Sequence, residues 1–243
     1  MKVIKPFKMI KLLLFATLIF GCQSKAQETE KSKGQLSNEE KSIIKIASYT
    51  AQGDLVKLNE GLDNGHTVNE AKEVLVHLYA YAGFPRSIRG LQNFLEVLDE
   101  RKSKAITDPL GKEASPITDT QEKYVRGKHI LETLVGRPLD GPKPVYQEFS
   151  PEMDRFLKEH LFADIFERDV LSHKQRELVT ISVISSLGGL EPMLKSHLNL
   201  SLNVGWHPEQ LKSFTGIIES TAGEEKAKTA SSVLTEVLKA QKE

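Results

Sequence analysis

A helical hairpin is predicted by the stretch Leu171–Gln210, which reads LSHKQRELVTISVISSLGGLEPMLKSHLNLSLNVGWHPEQ. Ser172, with Gln175 three residues later, forms a capping box that is typical of a helix start. The apolar run that follows stops at the glycine pair 188–189. From Leu194 onward a leucine recurs every fourth residue, which predicts a second helix with one apolar face. The stretch therefore favours two antiparallel helices joined by a glycine turn.

The hairpin carries one carboxylate and one imidazole at matching positions. At a rise of about 1.5 Å per residue, Glu177 and His197 lie at similar distances from the glycine turn, so we expect them to meet. Glu177 and His197 could each have a purely structural role instead. A carboxylate in the first turns of a helix stabilises the helix dipole by about 0.3–1 kcal/mol, and a histidine on a leucine-rich helix is commonly a buried structural residue.

The composition favours an all-α protein. Hydrophobic residues make up 39% of the 243 residues and aromatic residues 7%, with many of the residues that prefer helices. The 33 basic and 33 acidic residues balance, which argues against a nucleic-acid surface. We therefore expect no nucleic-acid partner.

The N-terminus resembles an export signal. Lysines precede a short apolar run, Leu12–Phe20, that is too brief to span a bilayer. Residues 1–22 are predicted to be a lipoprotein-type signal, in which Cys22 becomes lipidated and supplies the only membrane contact of a protein facing the periplasm. The alternative is an ordinary secretory signal cleaved after Ala26, which leaves a soluble periplasmic or secreted protein.

The number of cysteines limits the kinds of site that the protein can form. Cys22 is the only cysteine in the chain, so neither an internal disulfide nor a cysteine-rich zinc site can form. The histidines show no HExxH spacing. We therefore predict no metal site.

The rest of the chain predicts a duplicated helical hairpin. We expect a flexible tether at 23–35, a first repeat at 36–100, a linker at 101–120 and a second repeat at 121–243. Leu36-Ser37 matches Leu171-Ser172 at an offset of 135 residues, and the offset becomes 140 from Gly65 onward. The first copy has Ser42 and Leu62 where the second has the carboxylate and the imidazole, so the second copy is the candidate for chemistry.

Several segments resemble the carboxymuconolactone decarboxylase family. They are residues 162–171 (FADIFERDVL), residues 176–180 (RELVT), the glycine turn, the His197 helix and residues 203–205 (NVG) with PEQ after them. In the first half, residues 79–86 (YAYAGFPR) are similar to the close of the same unit. The resemblance implies an all-helical, cofactor-free protein whose hairpins pack into a trimeric or hexameric homo-oligomer.

The resemblance implies two kinds of reaction. One branch of the family decarboxylates a carboxylated muconolactone, and the alkylhydroperoxidase D-like branch reduces peroxides with a cysteine pair. Leu190 and Met193 stand where that pair would lie, which disfavours thiol peroxidase activity. We predict a cofactor-free decarboxylase, lyase or isomerase that acts on a small carboxylate or lactone. The alternative is a non-catalytic, exported, oligomeric binding or scaffold protein.

Decarboxylation of a carboxylactone requires a cation, a hydrogen-bond donor and an acid. Glu177 and His197 are the predicted catalytic residues, with Glu177 moving the proton and His197 stabilising the enolate-like oxygen. Arg168 is predicted to bind the substrate carboxylate, and Trp206 and His207 to line the pocket.

Structural alternatives stay open for these binding residues. Arg168 could pair with Asp164, four residues earlier, for about 0.3–0.5 kcal/mol if the pair is exposed. Trp206 could cover the core, and His207 could cap a helix. Tyr81, at a predicted helix break, could pack there or line a pocket shared by both halves.

Overall fold

The computed structural model describes residues 34–62 and 66–242. The predicted signal segment 1–22 with Cys22, the alternative cleavage after Ala26 and nearly all of the tether 23–35 lie outside these residues. The described residues form helices and no strand, which confirms the all-α prediction. Within this part of the chain, no helix is both long enough and apolar enough to cross a bilayer.

Eleven α-helices and one π-helical segment follow one another in the described residues. In chain order they are α1 (Asn38–Gln52), α2 (Leu55–Leu62), α3 (Val68–His77), α4 (Tyr79–Ser103), α5 (Lys123–Val135), α6 (Val145–Phe149), α7 (Pro151–Arg155), the π-helix Phe156–Phe166, α8 (His173–Leu187), α9 (Glu191–Asn203), α10 (Pro208–Ala222) and α11 (Glu224–Ala240). Capping boxes begin three of them, at Ser37 for α1, Thr67 for α3 and Ser172 for α8. The capping box predicted at Ser172 is thereby confirmed.

Helix α8 lies in the centre of the protein and packs against α1 and α9. Every residue from Arg176 to Ser186 is buried, so over this length α8 has no solvent face. Two of its hydroxyl side chains bond within the helix: Thr180 donates to the carbonyl of Arg176 at 3.0 Å, and Ser182 to that of Leu178 at 2.6 Å. Such bonds satisfy short polar side chains inside an apolar core. The apolar run predicted from the sequence is thus only part of a helix whose whole surface is buried over this length.

The segment predicted as a linker, 101–120, packs against the folded protein. Helix α4 extends to Ser103, and the residues after it cross the start of α3, where the carbonyls of Pro109 and Leu110 accept hydrogen bonds from the first backbone amides of that helix. Further on, Ser115 bonds to Asp169 through both its backbone amide and its hydroxyl at 2.8 Å. The segment therefore connects the first helices to the residues that precede α8.

The two halves show the same spacing of elements. Helices α1 and α8 each have 15 residues and begin 135 positions apart (173 − 38), and α3 and α10 begin 140 positions apart (208 − 68). Gly83, where α4 bends, has φ 80° and ψ 162°, while Gly223, 140 positions later, has φ 93° and ψ 165°. These correspondences support the predicted duplication, which stays a prediction.

Gly127 permits the close approach of α5 to the π-helix. A Cβ atom at this position would overlap the backbone carbonyl of Lys158, and a backbone group cannot rotate away as a side chain can. We therefore expect Gly127→Ala to lower the free energy of unfolding by about 1–3 kcal/mol, the usual cost of overpacking. Urea denaturation followed by circular dichroism measures this change.

Gly216→Ala is the matched control, because Gly216 also lies inside a helix but has no atom within 4 Å of the position of an added Cβ. It should stabilise the protein by up to about 1 kcal/mol, since alanine loses less backbone entropy on folding. Equal effects of the two substitutions would contradict the assignment of close packing to Gly127.

Candidate functional site

The glycine turn sets α8 and α9 side by side. Gly188 and Gly189 both have φ 71°, a left-handed conformation that glycine adopts at little cost. Helix α9 begins at Glu191, so the chain reverses within a few residues. Glu177 on α8 and His197 on α9 thereby face each other.

The two side chains make direct contact, as the sequence predicted. His197 Nδ1 and Glu177 Oε2 are 2.8 Å apart, and the Glu177 side chain is fully buried while that of His197 keeps 14% of its surface exposed. An ionised carboxylate only accepts hydrogen bonds, so Nδ1 carries the proton and Nε2 is left for chemistry. Among the described residues Nε2 has no hydrogen-bond partner. We call this pair the dyad.

A second set of buried polar side chains comes from the first half of the chain. Glu73 and His77 lie four residues apart on α3, and Tyr81 follows four residues later at the start of α4, so the three share one face. That face packs against Arg176 and Thr180 on α8. We call these five residues the buried network.

Glu73 forms ion pairs with two arginines. Its Oε1 accepts from Arg176 Nη2 at 2.7 Å and from Arg168 Nε at 2.9 Å, and its Oε2 accepts from Arg168 Nη2 at 2.9 Å. Burial alone would raise the pKa of Glu73, but the hydrogen bonds from the two arginines outweigh burial, and the pKa lies below its ordinary value. Because Glu73 and Arg176 are both fully buried, this is a desolvated ion pair.

His77 continues the network in one defined tautomer. Arg176 Nη1 can only donate, so the 3.1 Å contact makes His77 Nδ1 an acceptor. The proton is then on Nε2, which donates to the Thr180 hydroxyl at 3.0 Å. Burial, followed by the positive charges of Arg176 and His197, holds the pKa of His77 well below its ordinary value. His77 is therefore neutral near pH 7.

Within the buried network, Tyr81 is the residue that contacts the dyad. Its ring meets the His197 ring edge to face, with centroids 5.7 Å apart and planes at 86°, and its centroid is also 5.7 Å from that of His77. Burial, and then the negative charge of Glu177, raise the pKa of Tyr81 far above its ordinary value. Thr180 lowers that pKa slightly, but the two hydroxyls make no hydrogen bond of normal geometry.

Several buried polar atoms around the dyad are unpaired within the described part of the chain. They are Tyr81 Oη, Arg176 Nε, Glu177 Oε1 and Ser201 Oγ. An unpaired buried donor or acceptor costs about 1–3 kcal/mol, so such groups are uncommon in native cores. Three of the four belong to residues of the dyad and the buried network, and four other unpaired atoms lie elsewhere in the described residues. We take the dyad and its surroundings as the candidate site.

The predicted binding residues have other partners in the structure. Arg168 bonds to Glu73 through Nε and Nη2, which form one edge of its guanidinium. Trp206 is 2% exposed, and its Nε1 donates to the carbonyl of Lys174 at 2.9 Å. His207 is the N-cap of α10. The structural alternatives thus describe Trp206 and His207 well, while the partner of Arg168 is Glu73 and not Asp164.

Most of the buried network was missed by reasoning from the sequence. Glu73, His77 and Tyr81 recur at the four-residue interval that marks a buried helix face, and this was the available signal. Their partner Arg176 lies 103 residues from Glu73, and no local pattern indicates so distant a contact.

A small cavity of about 100 Å³ lies at the glycine turn, beyond the dyad. Ile184, Leu190 and Leu194 line it together with Ser185 and Lys226. Ile184 is seven residues after Glu177, about two helical turns along α8. Leu190, which stands where the peroxidase branch has a cysteine, therefore contributes to an aliphatic wall, so this cavity lacks the thiol that the peroxidase reaction needs.

The histidines make stability sensitive to acid. Burial is the main cause that lowers the pKa of His66, His77 and His173. Below the ordinary histidine pKa of about 6.5, the unfolded chain therefore binds protons that the folded protein does not. Stability is fully present above that pH and falls as the pH falls. We expect His77 alone to cost about 1 kcal/mol between pH 6.5 and 5.5.

Urea denaturation at pH 7.5, 6.5 and 5.5 tests this dependence. His77→Gln keeps a donor and an acceptor but cannot titrate, so the loss between pH 6.5 and 5.5 should shrink by the contribution of one proton. His129→Gln, at a histidine whose side chain is 61% exposed, serves as the control and should leave the loss unchanged. A His77→Gln profile parallel to that of the unmodified protein would contradict the assignment.

Comparison with known families agrees with this geometry. The model of the carboxymuconolactone decarboxylase family matches residues 151–236, which include α7, the π-helix, the whole α8–α9 hairpin and most of α11. No curated protein matches the chain. The segment 151–236, which contains both residues of the dyad, is similar to the carboxymuconolactone decarboxylase family.

Proposed function

We propose that the protein is a cofactor-free decarboxylase, or a related lyase or isomerase, that acts on a small carboxylate or lactone. The dyad is the observation that carries this proposal. A fully buried carboxylate holds one nitrogen of an imidazole whose ring stays partly exposed, which is the arrangement of an oriented general acid or base. The similarity of residues 151–236 to the family model supports the reaction class.

The geometry suggests separate roles for the two residues. When a carboxylactone loses carbon dioxide, the bond between carbon and the carboxylate breaks and its electron pair moves into the lactone carbonyl, which gives an enolate. His197, with a proton on each ring nitrogen, then delivers the Nε2 proton to carbon, and solvent returns a proton to Nε2. Glu177 holds Nδ1 and balances the imidazolium charge. We therefore propose that His197 delivers the proton, whereas the sequence alone predicted this role for Glu177.

The binding residues are assigned differently as well. In this proposal Arg168 fixes Glu73, since one edge of its guanidinium already binds that carboxylate. Trp206 and His207 position the start of α10 and do not touch the substrate. The substrate carboxylate is therefore bound by other groups, or it stays at the solvent-exposed side of His197, where its departure as carbon dioxide is unhindered.

A second candidate function is that of an oligomeric binding or scaffold protein. The observation that favours it is a set of exposed apolar side chains around α6, with Val145 82% and Phe149 90% exposed. Surfaces of this kind commonly mark contacts between proteins. In this case the chain assembles as a homo-oligomer, a trimer or hexamer, and the dyad is structural. Under either function we propose an exported protein that is anchored through Cys22 or released after Ala26.

The deciding experiment measures carbon dioxide release from a panel of small carboxylactones and keto acids by the purified protein. The proposed function predicts turnover that depends on Glu177 and His197. Absence of turnover on the whole panel, together with unchanged ligand binding in Glu177→Gln and His197→Ala, would leave the scaffold role as the better description. Light scattering on the same samples gives the oligomeric state.

A further inference from the structure

The hydroxyl group of Tyr81 is buried without a partner. In the part of the chain that the structure describes, Tyr81 Oη makes no hydrogen bond, and the same holds for Glu177 Oε1 and Arg176 Nε. Native proteins pair nearly all buried polar atoms, so each exception needs an explanation. Glu177 and Arg176 are also the two charged residues that shift the pKa of Tyr81. The unpaired atoms therefore belong to side chains that lie near one another.

The ring of Tyr81 lies next to the imidazole of the dyad. The Tyr81 ring stands edge to face against His197, at a centroid distance of 5.7 Å. His77, on the other side, is fixed by its bonds to Arg176 and Thr180. Tyr81 is thus held between a rigid network and the imidazole that faces solvent, and a ligand that contacts His197 lies close to the Tyr81 ring.

The chemistry of the hydroxyl suits an anionic ligand. Burial and the charge of Glu177 raise the pKa of Tyr81, so the phenol keeps its proton and remains a hydrogen-bond donor. A buried, fixed donor stabilises developing negative charge more strongly than water does, because it needs no reorganisation. The complementary ligand is therefore a small molecule with negative charge on an oxygen atom.

We propose that Tyr81 donates a hydrogen bond to the enolate oxygen that forms as the substrate loses carbon dioxide, and that it is a further catalytic residue. This inference rests on the proposed function. As the carbon–carbon bond to the carboxylate breaks, the electron pair moves onto the carbonyl oxygen, and Tyr81 contacts that oxygen while keeping its own proton. His197 Nε2 supplies the proton to carbon. The active site is then formed by both halves of the chain, with the oxyanion donor from the first and the acid from the second.

Tetronate, the stable anion of a five-membered lactone enol, is the probe for this donor, and neutral γ-butyrolactone is its reference. Calorimetric titration should show that the protein binds tetronate at least about ten times more tightly than γ-butyrolactone. Tyr81→Phe should weaken tetronate binding about 10- to 100-fold and leave γ-butyrolactone binding unchanged. On a carboxylactone substrate it should lower kcat about 10²-fold, as removal of one oxyanion donor does, with little change in KM.

Tyr79→Phe is the matched control, because Tyr79 lies two residues earlier on α4 and stacks on Phe84. It should change neither tetronate binding nor kcat, and circular dichroism checks that both variants are folded. Tetronate binding that is absent from the unmodified protein, or equal in Tyr81→Phe, overturns the assignment of Tyr81. Tetronate binding that depends on Tyr81, without turnover on any carboxylactone, supports Tyr81 as a hydrogen-bond donor and contradicts the proposed function. Failure of the Tyr81 assignment and failure of the proposed function therefore give different results.

Discussion

Replacing Glu73 with glutamine is expected to lower the free energy of unfolding by about 3–5 kcal/mol. The carboxylate is the partner of Arg176, whose side chain is fully buried, and glutamine would leave this cation in the core without a counter-charge. Arg168, with 36% of its side chain exposed, can turn to solvent, but Arg176 cannot. A typical domain is stable by only about 5–15 kcal/mol, so the loss is a large fraction of the total.

Urea denaturation at pH 7.5 measures this loss, and an exposed ion pair supplies the control. Glu236 bonds to Lys195 at 3.2 Å with the two side chains 60% and 50% exposed, so Glu236→Gln should change stability by less than about 0.5 kcal/mol. A similar effect at both positions would mean that burial does not determine the strength of the Glu73 interactions.

The double variant Glu73→Leu with Arg176→Met separates the ion pair from the penalty of an unpaired charge. Removing both charges leaves no buried ion, so the double variant should be more stable than Glu73→Gln and should lose less than the sum of the single changes. Additive losses would show that the two side chains act independently, in conflict with their 2.7 Å contact.

The hairpin was predictable because its signals are local. A capping box at Ser172, a glycine pair and leucines at four-residue intervals define the ends and faces of α8 and α9. Two antiparallel helices joined by a short turn lie side by side, so residues at similar distances from the turn are expected to meet. The contact between Glu177 and His197 follows from these features, and so does its position in the part of the chain that matches the family.

The surroundings of the hairpin depend on contacts between distant parts of the chain. The spacing of four residues suggested that Arg168 pairs with Asp164, but Asp164 instead binds Lys123 at 2.8 Å and His160 at 3.1 Å. The partner of Arg168, Glu73, lies 95 residues away. Ion pairs between helices depend on which faces pack, and helix periodicity does not specify which helix lies opposite. The same reason explains why the contact between Tyr81 and His197 could not be predicted from the sequence.

His197→Gln is expected to lower kcat by about 10²–10⁴-fold on whichever carboxylactone the protein turns over, because it removes the positioned acid. Glutamine has an amide in place of the imidazole and cannot exchange a proton near neutral pH. The side chain of His197 is partly exposed and its one charged partner is Glu177, so the effect on stability should be much smaller than that of Glu73→Gln. Steady-state kinetics together with urea denaturation measure the two effects on the same sample.

Glu177→Gln distinguishes the charge of the carboxylate from its hydrogen bond. The amide oxygen can still accept from His197 Nδ1, so the imidazole keeps its orientation but loses the negative charge that balances the imidazolium. We therefore expect a smaller fall in kcat than for His197→Gln, with stability equal to or above that of the unmodified protein, because the substitution removes a charge from a fully buried side chain. Such a gain in stability with a loss of activity is typical of functional residues. A large loss of stability with unchanged turnover would instead identify the dyad as a structural pair, and the scaffold role would then account better for this hairpin.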